Sequence, residues 1–142
     1  MPYSVLIALG SNLGDRGLYL RRALDALGSE VRVVRLSGVH ETEPVDAPPA
    51  SPPFLNMVVV GHTALPPAAL LDCLLAIERR FGRYRAGIRN APRTIDLDLI
   101  LHSAHLAHTP RLSLPHPRYR QREFVMGPAR ELGLRWPALT EG

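Results

Sequence analysis

Two aspartates set two positions apart, Asp96 and Asp98, are the residues of this chain best suited to chemistry. They lie in the stretch 89–102, Arg-Asn-Ala-Pro-Arg-Thr-Ile-Asp-Leu-Asp-Leu-Ile-Leu-His, whose second half alternates. Ile95, Leu97, Leu99 and Leu101 fall on one side of an expected strand, and Thr94, Asp96 and Asp98 fall on the other. The Cα atoms of the two acids are then roughly 6.6 Å apart, two residues of extended chain. Asp is disfavoured in strands, and two on one face repel. A run of arginines precedes them: Arg79, Arg80, Arg83, Arg85, Arg89 and Arg93. Hard oxygen ligands beside many guanidinium groups suit a divalent cation and a polyphosphate. Mg²⁺ typically takes one or two carboxylates and completes its shell with substrate phosphates. Without it, each carboxylate–phosphate approach to about 4 Å would cost ~4 kcal/mol at an effective dielectric of 20.

Composition bounds the alternatives. The chain has 142 residues, a net charge of +4 and a pI near 10.0, and all 17 of its basic residues other than histidine are arginine. A basic surface fits phosphate-rich ligands, and arginine supplies bidentate contacts to them. The length predicts one domain over residues 1–142. No apolar run reaches the roughly 20 residues of a membrane span, and the amino-terminal Met-Pro-Tyr-Ser-Val-Leu-Ile-Ala-Leu-Gly reads as a strand, with no charged region of a signal peptide. The single Cys73, set among leucines, is expected as a small buried residue in a reducing cytoplasm.

Several elements must position the acids. Strands are expected over Tyr3–Leu9, Val31–Val39, Phe54–His62 and the acidic stretch. A first helix carries Leu20, Ala23, Leu24 and Leu27, with Asn12 or Asp15 as its cap and Gly28 at its end. A second opens at Pro66-Pro67, shows Leu70, Leu74, Ile77 and Phe81 on one face and stops at Gly82. His105–Leu114 is expected to be extended, and Glu123–Leu132 to be a short helix weakened by Gly127-Pro128. The order predicts an α+β fold, a ferredoxin-like split β-α-β sandwich with a mostly antiparallel sheet and helices on one face. Five prolines crowd residues 43–53, which excludes regular structure there and suggests a stiffened surface loop, a lid like the arginine-rich segment.

No Walker-type loop and no Gly-x-Gly-x-x-Gly occurs, so a nucleotide would have to be held by arginine and metal. A nucleic-acid-binding module on the same fold is the rival. It lacks the aromatic platform of such modules, and acids amid the basic region would repel a phosphate backbone.

Six ordered blocks of the chain resemble the 6-hydroxymethyl-7,8-dihydropterin pyrophosphokinase family. They are Ala8-Leu9-Gly10-Ser11-Asn12-Leu13, His40-Glu41-Thr42-Glu43-Pro44-Val45, Phe54-Leu55-Asn56, Ile77-Glu78 through Gly82-Arg83-Tyr84-Arg85, Ala91-Pro92-Arg93-Thr94-Ile95-Asp96-Leu97-Asp98, and Leu112-Ser113-Leu114-Pro115-His116 followed by Arg122 and Phe124. The resemblance implies a cytoplasmic, monomeric Mg-dependent enzyme of folate biosynthesis. Such an enzyme moves pyrophosphate from ATP to the hydroxymethyl group of the pterin, giving AMP. Asp96 and Asp98 would hold two Mg²⁺ ions. Arg83 and Arg93 would stabilise the transferring group, with Glu78, Arg85, Arg89, His116 and Arg122 as further ATP contacts. Thr42, Pro44, Val45, Phe54, Asn56, Asp96 and Phe124 would surround the pterin. The partners implied are these small molecules, with neither nucleic acid nor membrane. Glu78 taken alone would be a solvated helix residue, and His102, His105 and His108, three apart, are expected as surface histidines rather than a metal site. Departures fall at Asn90 and Ala91, where the family has tryptophan and glycine, at Ala86 for a loop lysine, at His40 for an aromatic residue, and at Pro117. They imply a loop that closes differently and a modest turnover.

Overall fold

A computed structural model describes residues 3–43, 52–81, 95–103, 107–108, 113–114 and 123–132. The chain runs β1 (Tyr3–Ser11), α1 (Arg16–Leu27), β2 (Val31–Leu36), β3 (His40–Thr42), β4 (Phe54–Thr63), α2 (Pro67–Arg80), β5 (Asp96–His102), the two-residue strands β6 (Ala107–His108) and β7 (Ser113–Leu114), and α3 (Glu123–Glu131). The main sheet has the order β2-β4-β1-β5, with β3 joining β4, and each pairing in it is antiparallel. With β4 taken as the third major strand, this is the ferredoxin-like split β-α-β order. β6 and β7 form a separate ribbon.

Strand β1 lies at the centre because nearly every residue in it is apolar or small, and both of its faces are covered. Val5, Ile7 and Leu9 face α1 and α2, where Leu20, Ala23, Leu27, Leu70, Leu74 and Ile77 pack with Val31, Met57, Val59, Ile95, Leu97 and Leu99. Leu6 and Ala8 face the other way, onto Val58, Val60, Ile100, Leu101, Ala129 and Leu132. The expectation of helices on one face therefore holds for α1 and α2 and fails for α3, whose Ala129 and Leu132 cover the opposite side. Leu101 is also corrected. A register shift opposite Leu6/Ile7 leaves Ile100 as an extra residue and turns Leu101 onto the α3 face, away from Leu97 and Leu99.

Local chemistry explains most boundaries. Asp15 caps α1, its side chain accepting from Leu18 N at 3.2 Å after a turn in which Gly14 takes φ 72°. Asn12 is not that cap. Gly28 ends α1 in a right-handed conformation, its N–H reaching Leu24 O and Asp25 O at 3.2 Å, so the left-handed freedom of glycine is not what stops the helix. Pro67 occupies the first turn of α2, where its missing N–H costs nothing, and Phe81 closes the helix. The expected strand Val31–Val39 ends three residues early, and β3 is a further strand beyond it. β2 ends at Leu36, and Ser37, 1% exposed, exchanges bonds with Val58 through its own N–H and its hydroxyl before β3 begins. Helix α3 keeps Pro128 inside it and still reaches Glu131. Cys73 is only partly buried, a flank of the helix-side core.

Candidate active site

Strand registry brings the chemistry together. Asp96 pairs with Gly10 and Asp98 with Ala8 across β5 and β1, while Gly10 pairs with Asn56 across β1 and β4. Directly paired residues of antiparallel strands share a face. Ala8 and Val58 belong to the cluster under α3, so Asp98 lies on that face, and by alternation Asp96, Gly10, Asn56 and Phe54 do too. α3 packs on this face, its Ala129 and Leu132 in one cluster with Ala8, Val58 and Val60, and the row Asp96–Gly10–Asn56 lies two residues further along the strands. Asp96 and Asn56 sit on strands either side of β1, two spacings of about 4.8 Å from one another.

Gly10 is there for space. A Cβ at this position would lie 3.0 Å from Asn56 Oδ1 and 3.3 Å from Phe54 Cδ1, so the amide oxygen and the ring lean over its bare backbone. Asn56 is 4% exposed, and its Nδ2 donates to Thr42 Oγ1. That bond orients the amide, turning its oxygen to the Gly10 side. Thr42 reaches Asn56 because β3 pairs antiparallel with the start of β4, His40 opposite Asn56 and Thr42 opposite Phe54. A half-buried aromatic ring and an oriented amide thus meet over a glycine, groups able to stack on and hydrogen-bond to a flat polar heterocycle.

The acid pair lies on the same face, on the strand next to Gly10. Asp96 and Asp98 are half-buried, alternating with the buried Leu97 and Leu99. Their donor set, two carboxylates on one face of one strand, fits Mg²⁺ bound jointly with phosphate oxygens. Among the described residues no group of three or more His, Cys, Asp or Glu could hold a metal by itself, so ligands from a substrate would have to complete the shell.

Glu78 reverses the expectation drawn from it alone. It is 2% exposed, and its Oε2 accepts from Leu97 N at 2.8 Å. β5 is the edge of the sheet, and a carboxylate from α2 thus takes the amide lying between the two aspartates. The helical period contained the signal, since 70, 74 and 78 are spaced by four. His102 is corrected as well. It is not a surface histidine: it is 2% exposed, its Nε2 bonds Leu65 O at 2.9 Å, and its ring meets Tyr3 at 4.8 Å. Burial lowers its pKa from 6.5 and the bond to the Leu65 carbonyl opposes that shift. Its place is the far end of β5 from Asp96.

The structure thus gathers Thr42, Phe54, Asn56, Asp96 and Asp98 on one face and puts Glu78 behind them. Phe124 lies in the first turn of α3, the helix on that same face. Pro44, Val45, Arg83, Arg85, Ala86, Arg89, Asn90, Ala91, Arg93, His105, His116, Pro117 and Arg122 lie outside the described residues, as do the expected stop at Gly82 and the two proposed lids in their central parts. Gly10 is the position of this row that residue-type reasoning missed. Only the pairing of β1 with both neighbours exposes its role.

The description "7,8-dihydro-6-hydroxymethylpterin-pyrophosphokinase" belongs to the family model that matches residues 6–133. A 2-amino-4-hydroxy-6-hydroxymethyldihydropteridine pyrophosphokinase of Bacillus subtilis is 43% identical over 128 residues, 89% of this chain and 75% of that protein. The Pseudomonas aeruginosa protein of the same name is 41% identical over 134 residues, 93% of this chain and 82% of its own length. A folate synthesis bifunctional protein of Arabidopsis thaliana is 40% identical over 90% of this chain, which spans only 26% of it. In fold, the chain resembles a crystal structure of HPPK-DHPS in complex with substrates, with a TM-score of 0.67 and 13% identity, over 92% of this chain and 40% of that one.

Proposed function

The chain belongs to the 7,8-dihydro-6-hydroxymethylpterin-pyrophosphokinase family, the enzymes that transfer pyrophosphate from ATP to the pterin's hydroxymethyl group in folate synthesis, and we propose how its residues share that work. The observation that carries the assignment is the row Asp96–Gly10–Asn56, which sets an oxygen-only acid pair one strand away from an amide-and-aromatic slot. Thr42, Phe54 and Asn56 hold the pterin, Phe54 against its plane and the Asn56 amide at its edge, with Pro44, Val45 and Phe124 completing the enclosure. Asp96 and Asp98 hold Mg²⁺, two ions in our assignment, and Asp96 also borders the pterin. The metal, once bound with ATP, supplies neutralising charge on the phosphates.

The pterin hydroxyl oxygen attacks the β-phosphorus of ATP in line with the bond to the α-phosphate. One O–P bond forms, the α–β bridge breaks, AMP leaves with the bridging electron pair, and the hydroxyl proton passes to water. Positioning and charge neutralisation carry the acceleration. Arg83 and Arg93 balance the charge of the group in flight. Arg85, Arg89, His116 and Arg122 hold the rest of the nucleotide, and Glu78 holds the acidic strand in place through Leu97. We further propose that residues 1–142 act as one domain, monomeric and cytoplasmic, without nucleic acid or membrane partners; no helix among the described residues is long and apolar enough to cross a membrane.

The assay mixes the protein with Mg²⁺, ATP and the reduced hydroxymethylpterin. Pterin-dependent AMP is the expected product. ADP in its place, or no AMP, overturns the assignment.

A further inference from the structure

Arg16 stands where helix electrostatics work against it. It is the first residue of α1, directly after the Asp15 cap, and that first turn holds no acidic residue. A cation there faces the positive end of the helix dipole. What the guanidinium holds accounts for the placement. Its Nη1 donates to Glu41 Oε2 at 3.1 Å and to Pro53 O at 2.9 Å. Beside it Asn12, 1% exposed, donates Nδ2 to Pro52 O at 3.1 Å. Proline has no N–H, so at 52 and 53 the carbonyls are the backbone's polar groups, and both are taken by side chains, one from the β1–α1 connection and one from the first turn of α1.

Glu41 and Pro53 flank the proline-rich segment, one in β3 on the way in and the other immediately before β4 on the way out. A single guanidinium therefore spans both feet of the β3–β4 hairpin. In that hairpin Glu41 pairs with Leu55, and Leu55 packs on the helix-side core. Thr42, Phe54 and Asn56, one residue out of phase, face the slot. Arg16 grips the back of the hairpin whose front recognises the pterin.

We propose that Arg16, assisted by Asn12, is a positioning residue for pterin recognition: it clasps both ends of the hairpin and so fixes the spacing of Thr42, Phe54 and Asn56. The inference rests on the pyrophosphokinase assignment for its substrate. The clasp itself does not. An ion pair whose side chains are 29% and 57% exposed adds little to global stability, whereas recognition through an oriented amide is sensitive to shifts of a fraction of an ångström.

The test compares Arg16→Ala, Arg16→Lys and Glu41→Gln with the unaltered protein. For Arg16→Ala we expect pterin KM to rise about tenfold, with ATP KM within about twofold and an almost unchanged melting temperature. Arg16→Lys, which keeps a charge able to donate to both partners, recovers part of the loss. Amide hydrogen exchange of the same variant quickens in β3 and the first residues of β4, while β1 and β5 keep their protection. A pterin KM that stays put, or an ATP KM that rises equally, overturns the proposal, and so does unchanged exchange in the hairpin. Should Arg16→Ala fail to fold, Glu41→Gln decides: it keeps an acceptor, removes only the charge, and is expected to raise pterin KM about threefold; no rise refutes the clasp. If the unaltered protein makes no pterin-dependent AMP, the functional assignment falls, and hydrogen exchange alone still decides whether the clasp exists.

Discussion

Replacing Glu78 by alanine tests how the acidic strand is held. The carboxylate is 2% exposed and accepts from Leu97 N at 2.8 Å, on the outer edge of the sheet. Its removal leaves a buried donor without a partner, a loss of about 1–3 kcal/mol. Some of this is offset, because burying a carboxylate costs desolvation that the variant no longer bears. A net destabilisation of about 2 kcal/mol follows, and at roughly 3–5 °C per kcal/mol for a domain of this size the melting temperature falls by about 6–10 °C. Leu97 lies between Asp96 and Asp98, so freedom gained by its amide is freedom gained by both carboxylates. The Mg²⁺ concentration giving half-maximal rate should rise at least about tenfold. Glu78→Gln keeps an acceptor oxygen and should show about half of the thermal effect. Thermal melts and Mg²⁺ titrations of AMP release read out both effects. If Glu78→Ala melts within about 2 °C of the unaltered protein and needs no more Mg²⁺, the strand is not held in this way.

Other expectations follow from the same geometry. Asp96→Asn or Asp98→Asn should lower turnover by at least about 100-fold while leaving the melting temperature nearly unchanged, since both acids are only half-buried and the amide keeps the shape of the side chain; a variant that keeps its rate removes that residue from the metal site. Gly10→Ala should raise pterin KM by about tenfold or more with little effect on ATP, because the new methyl group must displace the Asn56 amide and the Phe54 ring; equal effects on both substrates in steady-state kinetics would contradict a slot above Gly10. Burial lowers the pKa of His102, so the folded chain favours its neutral ring and the unfolded chain binds more protons between that lowered value and 6.5. Stability from this site is complete above pH 6.5 and is lost as pH falls through that window. Melts from about pH 7.5 to about pH 5 should show that loss, and His102→Gln should flatten the curve; an identical slope in both proteins refutes the account.

Periodicity made the sheet and both long helices legible in the sequence. Alternation along residues 95–99 assigned the faces of the acidic strand, and the repeat of Leu70, Leu74 and Ile77 fixed the buried side of α2. The failures have physical causes. Leu101 was assigned to the wrong face because a bulge depends on the partner strand and leaves no mark in a single strand's pattern. Strand propensity is continuous over Val31–Val39, yet β2 stops at Leu36, where Ser37 turns its hydroxyl to Val58 N across the sheet. Glu78 and His102 are polar residues tolerated inside with backbone partners, among them Leu97 N and Leu65 O, that are distant in sequence. The acid pair and the Thr42, Phe54 and Asn56 wall were recognisable from their motifs. Gly10 was not, because a missing side chain matters only once its neighbours are known.

The place of β1 between β5 and β4 has a consequence for how the two substrates meet. A hydrogen-bonded strand cannot be stretched or compressed, so the span from Asp96 to Asn56 is a gauge fixed by backbone geometry at about 9.6 Å, whatever the surrounding segments do. Motions above the sheet can open or seal the site, and they leave that gauge untouched. On the proposed assignment, the span between the metal-bound phosphates and the pterin edge is set across one strand, and a variant that widened the sheet here would be expected to change where ATP is cut before it changed what is bound.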